Sequence, residues 1–320
     1  MLVNLFDDLR MRESAIPYER LARKGLDAYG LRDAKLTPLS VGDRVAFRAT
    51  EAGISYALHI YPSGWDRVRI DRSLFWQTAL CRAGTVRCPE PVLTLAGDLV
   101  QSLSTPGISG FRHVTLLSWV DGQAADPAAW TPADALEVGK LIGRLHAHGA
   151  SVTLPPELAT PVPTEQILRE RFDPTEIVRM HPQVDVGLLQ EACDRVCETL
   201  SAGMSADGIG LIHGDLTLER IRVDETSLAL VGFHRACEGY AAFDLGSIAL
   251  GLRGLEQGRD LRCALLEGYA EIRSLRFDST VLDAFTQWRL LDGMVTVSSE
   301  APDRAIRRLQ AKLREVAEAI

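Results

Sequence analysis

The sequence predicts an α+β protein in two parts, a small antiparallel sheet lobe over residues 1–121 and a mainly helical lobe over 122–320. Three observations predict it. Arg44–Thr50 and Ser55–Tyr61 are β-like runs within a strand-rich first third. From Ala133 onward the apolar spacing is helical almost throughout. Between these regions lies Asp121–Pro132, a polar stretch containing Ala and Pro that reads as a linker.

Taken in order, residues 17–30 set Leu21, Leu26 and Tyr29 at helical spacing and end on Gly30. Arg44–Thr50 and Ser55–Tyr61 are separated by Glu51-Ala-Gly53, which predicts a hairpin. Residues 70–83 read as a helix closed by Gly84, and Pro91–Leu95 and Val114–Val120 as further strands. The small lobe is therefore expected to hold a five-stranded antiparallel sheet with one helix. Helical patterns then cover 133–148, 164–172, 185–202, 259–274, 279–297 and 302–319. They are interrupted by the short strand-like runs Ile209–Asp215, Arg220–Val223 and Leu228–Phe233.

Composition narrows the class. The 320 residues are 46% hydrophobic and 24% charged, with mean hydropathy +0.02, which excludes disordered, collagen-like and coiled-coil chains. No uncharged apolar run is long enough for a bilayer, and Asp7 and Asp8 stand where a secretory signal carries basic residues. A cytoplasmic protein with no membrane partner is expected. A net charge of −8 and a pI near 5.5 argue against a nucleic-acid partner. Lysine is scarce: only Lys24, Lys35, Lys140 and Lys312 occur, none of them between positions 36 and 139. The six cysteines form no CxxC pair. Cys193 and Cys197, four apart in a helical stretch, read as reduced core thiols rather than as a metal or redox site.

One stretch carries chemistry. The apolar run Leu211-Ile212 leads into His213-Gly214-Asp215, followed by Leu230-Val-Gly232-Phe233-His234 and then Phe243-Asp244-Leu245. A carboxylate held at the end of a strand can orient an attacking hydroxyl and take its proton, the role of the base in phosphoryl transfer. On chemistry alone Asp215 serves equally well as a turn carboxylate that accepts from backbone N–H groups.

These residues, in this order and spacing, resemble the aminoglycoside phosphotransferase/choline kinase family of kinase-like enzymes. The resemblance runs through Val41–Thr50 at the nucleotide loop, Tyr56–Ile60 at the strand of the phosphate-gripping base and Ile70–Leu80 at the small-lobe helix. It continues through Leu117–Gly122 at the hinge, Leu141–His146 in the first large-lobe helix, and the His-Gly-Asp block with Asp244 29 residues after Asp215. It implies a protein-kinase-like two-lobed fold. It also implies that His213 and Asp244 form the structural framework of the loop and that Asp215 holds the base position. His146 matches a Leu-His pair typical of the family, and His148 follows it.

Four positions depart from the family pattern. Arg220 stands where the metal-binding Asn is expected, Gly232 where the metal-binding Asp is expected, His59 at the phosphate-gripping Lys or Arg, and Ser73 at the helix glutamate that pairs with it. Magnesium needs oxygen ligands, and glycine supplies none. A guanidinium about 4 Å from a cation repels it by roughly 4 kcal/mol at an effective dielectric near 20. No metal ligand is therefore assigned. Arg220, His59 and Arg44 are the candidate cofactor-binding residues, since Arg220 can bind phosphate directly. Glu219, Asp224 and His234 are the candidate substitutes for a displaced metal ligand, although Glu219 and Asp224 are expected to face solvent and His234 to be a surface or hydrogen-bonding residue. Arg48 is read as a strand-surface arginine.

The expected function is that of a pseudokinase, a binding or regulatory scaffold without ordinary Mg-ATP chemistry. It would hold a small molecule or peptide in the inter-lobe cleft, or a partner enzyme. The alternative is an active ATP-dependent small-molecule O-phosphotransferase with a rearranged metal site, and only then are ATP and Mg cofactors. Acceptor-binding segments are expected in 160–205 and 250–300, where no motif names a ligand.

Overall fold

The computed structural model describes residues 16–41, 44–202, 208–225, 227–274, 278–296 and 303–318. Gly42 and Asp43 of the expected nucleotide loop, the acids at Asp7 and Asp8, and parts of the expected acceptor segments lie outside them. The described chain forms two units. One comprises the residues up to Gln123 together with Pro156–Leu158 and Asp224–His234; the other comprises Ala124–Pro155, Ala159–Val223 and the residues from Arg235 onward. The sequence led us to expect two contiguous stretches meeting at 121/122; in the structure two short later segments join the first unit.

In the first unit a helix over residues 16–27 (α1) precedes strands β1 (Lys35–Val41), β2 (Val45–Glu51) and β3 (Ile54–Ile60). Helix α2 (Arg67–Ala83) follows, then β4 (Pro91–Val92), β5 (Gln101–Thr105) and β6 (Ile108–Ser118). These strands form one antiparallel six-stranded sheet in the order β1-β2-β3-β6-β4, with β5 also pairing with β6. The β2–β3 hairpin turns on Ala52 and Gly53, both at positive φ (49° and 79°), as a two-residue turn of matching twist requires.

Strand alternation divides the packing between the two faces. Val45, Phe47, Ala49, Leu58, Ile60, Val114 and Leu116 bury one face against Leu21, Ala22 and Leu26 of α1. Leu117, with Ala57 beside it, packs on the other side with Tyr61, Ile70 and Leu74, the last two from α2. The expected five strands and one helix are thus corrected to six strands and two helices. The pattern hid β1 because Pro38 removes a ladder donor and a register shift follows it, both features of an edge strand.

The second unit is mainly helical. Strand β7 (Gln123–Ala124) sits at the junction, within the expected linker. Thr131 then caps helix α3 (Pro132–Ser151) through a reciprocal box with Asp134. Helices α4 (Glu165–Arg171), α5 (Pro174–Met180) and α6 (Val186–Ser201) follow, then β8 (Ile209–Ile212) and β9 (Ile221–Val223). After β10 (Leu228–Leu230) of the first unit come β11 (Cys237–Tyr240), α7 (Ala241–Leu252), α8 (Gly258–Ile272), α9 (Ser279–Thr296) and α10 (Asp303–Glu318).

Strand β8 pairs antiparallel with β11. Helix α3 packs along α8, and α9 packs against α6, α7 and α10. Cys193 and Cys197 lie in the core of α6 with Leu189 and Val196. No helix among the described residues is long and apolar enough to cross a membrane.

Candidate functional site

The loop after β8 is fixed by hydrogen bonds to a buried carboxylate. Asp244, in the first turn of α7, is fully buried. Its Oδ2 accepts from the His213 backbone N–H (2.7 Å) and from His146 Nε2 (3.1 Å), and its Oδ1 accepts from the Gly214 N–H (3.0 Å). His146 Nδ1 lies 3.1 Å from the Tyr269 hydroxyl, and burial pushes that phenol up to about 12. Gly214 is required twice over. Its φ is +73°, and a Cβ there would lie 2.3 Å from the Arg235 carbonyl oxygen. The His-Gly-Asp segment thus has its conformation set from behind by α7 and α3.

Asp215 itself is 7% exposed, and both of its oxygens are engaged. Arg220 Nη2 donates to Oδ2 at 2.8 Å, and Arg289 Nη2, from α9, donates to Oδ1 at 2.9 Å. Burial pushes this carboxyl up, but the Arg220 and Arg289 guanidiniums together outweigh it and hold the carboxyl below the usual carboxylate range.

The arginine cluster continues beyond Asp215. Asp292, one turn on from Arg289, pairs with Arg171, with Arg235 (3.4 Å) and with Arg289 Nη1 (3.6 Å). Four guanidiniums therefore surround two carboxylates. Burial, with the like charge of Arg220 added, also holds the Arg222 guanidinium below its ordinary range. Arg220 Nε is buried and has no partner among the described residues.

The first unit holds the other predicted residues. His59, on β3, is 8% exposed and meets Tyr61 edge-on at 6.3 Å. Ser73, at the position expected to pair with residue 59, is buried on α2, and its hydroxyl turns to Gln77 Oε1 (3.4 Å). Gln77 Nε2 in turn donates to the Pro89 carbonyl (3.1 Å). A histidine and a serine cannot form the ion pair that a lysine and a glutamate would, and the α2 residue is committed to its own helix.

Arg44 Nη1 donates to His234 Nδ1, and since a guanidinium only donates, the ring proton of His234 is placed on Nε2. Trp65 stacks on His234 at 5.7 Å, and Arg69 lies 4.1 Å over the Trp65 ring. His234 is buried at 4% exposure, which corrects its reading as a surface residue, though not as a hydrogen-bonding one. Arg48 lies over Trp119 at 4.4 Å and donates to Ser55 Oγ. Gly232 takes φ +88°.

The residues at the expected metal positions do not fit a divalent cation. Arg220 brings a positive charge already bonded to Asp215, and Gly232 brings no ligand. Of the substitute ligands, Glu219 is exposed, Asp224 pairs with Arg87 and accepts from Ser227, and His234 Nδ1 accepts from Arg44. No group of three or more His, Cys, Asp or Glu residues gathers as a metal site among the described residues. Sequence reasoning missed Arg289, Arg171, Arg235 and Asp292. The one available signal was an Arg and an Asp three apart in the 279–297 helical pattern, which is ordinary for a solvated helix face.

Comparison with known proteins agrees with this fold. The model of the phosphotransferase enzyme family matches residues 35–285. Among solved structures, a microcompartment-associated aminopropanol kinase is similar at TM-score 0.74 and 19% identity, covering 93% of this chain and 94% of that one. An amicoumacin kinase in complex with AMP-PNP, Ca2+ and Ami is similar at TM-score 0.75 and 15% identity, covering 96% of each chain. A spectinomycin phosphotransferase in complex with ADP and spectinomycin is similar at TM-score 0.65 and 15% identity, covering 93% of each. No curated protein matches the chain.

Proposed function

We propose that this chain, which belongs to the phosphotransferase enzyme family, is a member without Mg-ATP phosphoryl-transfer activity, acting as a binding or regulatory protein. One observation carries the reading: both oxygens of Asp215 are held by Arg220 and Arg289. A general base needs a free lone pair aimed at the hydroxyl and enough basicity to take its proton. Two charge-assisted hydrogen bonds occupy a lone pair on each oxygen and together lower the basicity. The same arginines work against a divalent cation near Asp215, and phosphoryl transfer depends on positioned positive charge carried by such ions.

The charge count speaks to the ligand. Arg171, Arg220, Arg235 and Arg289 outnumber Asp215 and Asp292, and Arg220 keeps a buried donor with no partner among the described residues. This supports a small anionic ligand, such as a phosphate ester or carboxylate, bound without metal. It argues against an amine such as aminopropanol, the substrate named for one structural relative.

The test is calorimetric titration with ATP, with and without magnesium or manganese, and with pyrophosphate and 1-amino-2-propanol, alongside a turnover assay. The expected result is no metal-dependent gain in nucleotide affinity, no turnover, and binding of pyrophosphate but not of the amine. Magnesium-dependent ATP turnover that is lost in Asp215→Asn overturns the proposal and establishes an active phosphotransferase with a rearranged site.

A further inference from the structure

Two cysteines that share no recognisable sequence motif meet in the first unit. Cys81 Sγ and Cys88 Sγ lie 3.5 Å apart. The local chain explains the meeting. Cys81 sits in the last turn of α2, which ends at Gly84 in the left-handed region (φ 62°), with the Gly84 N–H donating to the Leu80 and Cys81 carbonyls. The chain then doubles back so that Cys88 returns over the turn that carries Cys81. Cys81 Sγ is 3.7 Å from the Cys88 carbonyl oxygen and 3.9 Å from that of Pro89.

The returning segment is pinned beyond the pair as well. Gln77 Nε2 holds the Pro89 carbonyl, and Glu90 exchanges two 2.8 Å hydrogen bonds with Ser118, one through its N–H and one through its carbonyl. The two sulfurs are therefore neighbours by construction of the backbone.

The two thiols differ in a way that assigns them separate roles. Cys88 is buried at 8% exposure, whereas Cys81 is partly open to solvent. The hydrogen bond between them pulls the Cys81 thiol below its ordinary range despite burial and the nearby Glu90 carboxylate. The same bond, reinforced by burial, pushes Cys88 up. A reachable thiol biased toward thiolate beside a protected thiol is the arrangement of an attacking and a resolving cysteine.

We propose that Cys81 and Cys88 are a reversible thiol–disulfide pair, a modification site for hydroperoxides, which cross-links the end of α2 to the segment leading into β4. The Cys81 thiolate attacks one peroxide oxygen. The O–O bond breaks, the sulfur is oxidised by two electrons to the sulfenic acid, and the other oxygen leaves as hydroxide and takes up a proton. Cys88 sulfur then attacks Cys81 sulfur, the S–O bond breaks, and the oxygen departs as water with the Cys88 proton. For hydrogen peroxide the balance is two thiols and one peroxide to one disulfide and two waters, and a dithiol reverses it by exchange. The sulfurs must approach by about 1.5 Å to reach bonding distance, within the reach of side-chain rotation. Cys193 and Cys197 serve as the internal control, because both are buried in the α6 core.

The test is peptide mapping of the full-length chain after one equivalent of hydrogen peroxide, with alkylation under denaturing conditions. The expected product is a Cys81–Cys88 cross-link, a mass lower by about 2 Da that a dithiol restores, with Cys193 and Cys197 still alkylated. In Cys88→Ser the cross-link is absent and Cys81 is trapped by dimedone as the sulfenic acid; in Cys81→Ser, Cys88 stays reduced. Wild-type protein in which Cys81 and Cys88 both remain fully alkylated after peroxide overturns the proposal. So does a first sulfenic acid found on Cys88 instead of Cys81.

Discussion

Replacing Asp244 with alanine should destabilise the protein by more than an ordinary buried-to-alanine change, and the structure gives the amount. The carboxylate accepts three hydrogen bonds, from the N–H groups of His213 and Gly214 and from His146 Nε2. Asp244, His213 and His146 are fully buried, so little water is at hand to replace it. A buried donor left without an acceptor costs about 1–3 kcal/mol. Taking the lower end for each of three donors, because the loop relaxes, gives about 3 kcal/mol. For a domain somewhat smaller than this chain, 1 kcal/mol moves Tm by roughly 2–4 °C, so the fall should be about 6–12 °C.

The isosteric asparagine variant perturbs the same contacts. In Asp244→Asn the amide oxygen can keep the two bonds now made to Oδ2, while its NH2 would face the Gly214 N–H. The Gly214 N–H and both amide N–H groups are then left without an acceptor, so the loss should be about as large as in the alanine variant, about 3 kcal/mol. Thermal melts followed by circular dichroism measure both. A Tm for Asp244→Ala or Asp244→Asn within 2 °C of the parent would refute the reasoning that the 213–215 loop hangs on this carboxylate.

Other outcomes follow from the same geometry. Because the Asp215 carboxyl is held below its ordinary range, its contribution to stability is complete above about pH 4 and is lost as pH falls through the folded value. Urea melts between pH 2 and 5 should show a shallower acid dependence in Asp215→Asn, and an unchanged slope counts against the arginine clamp. Gly214→Ala should cost roughly 2 kcal/mol or more, since it combines a left-handed backbone with a 2.3 Å approach to the Arg235 carbonyl; a variant as stable as the parent in urea contradicts that. Arg220→Asn with Gly232→Asp should introduce magnesium-dependent ATP binding in calorimetry and should lower stability by about 1 kcal/mol, because position 232 lies at φ +88°. Adding His59→Lys should strengthen that binding, and a double variant indistinguishable from the parent with and without magnesium would show that the defect lies elsewhere.

The parts of this molecule legible in its sequence are those whose signal is local. The β2–β3 hairpin announces itself by two β-like runs around Glu51-Ala-Gly53, and α3 by its apolar spacing after a polar stretch. Helix α7 was not foreseen, because Ala241–Leu252 is buried on nearly every side and so shows no amphipathic period. Strand β11 gives no such signal, because it is only four residues long and Glu238 and Gly239 at its centre are poor strand formers. The same rule divides the site. His213, Gly214 and Asp215 stand together in the chain, and Asp244 follows at a fixed interval in the family pattern. Arg289 reaches Asp215 from 74 residues away, and Cys88 reaches Cys81 only because Gly84 turns the chain. Contacts of that kind are made by tertiary packing, and a single sequence carries no trace of them.

The make-up of the first unit has a consequence for how the protein is synthesised. That unit is not finished when residue 123 leaves the ribosome, because it also contains Pro156–Leu158 and Asp224–His234. Those late segments are internal parts of its packing. His234 receives the Arg44 hydrogen bond and lies against Trp65, Phe233 meets Trp76 edge-on, and the Leu158 carbonyl accepts from Arg72. At about 5–20 residues per second, residue 234 follows residue 123 by roughly 6–22 s. Throughout that interval the nascent sheet lacks the ring that covers Trp65 and the phenyl group against Trp76. Its apolar surface is then open to ribosome-associated chaperones, and a fragment ending at residue 123 would keep that exposure permanently.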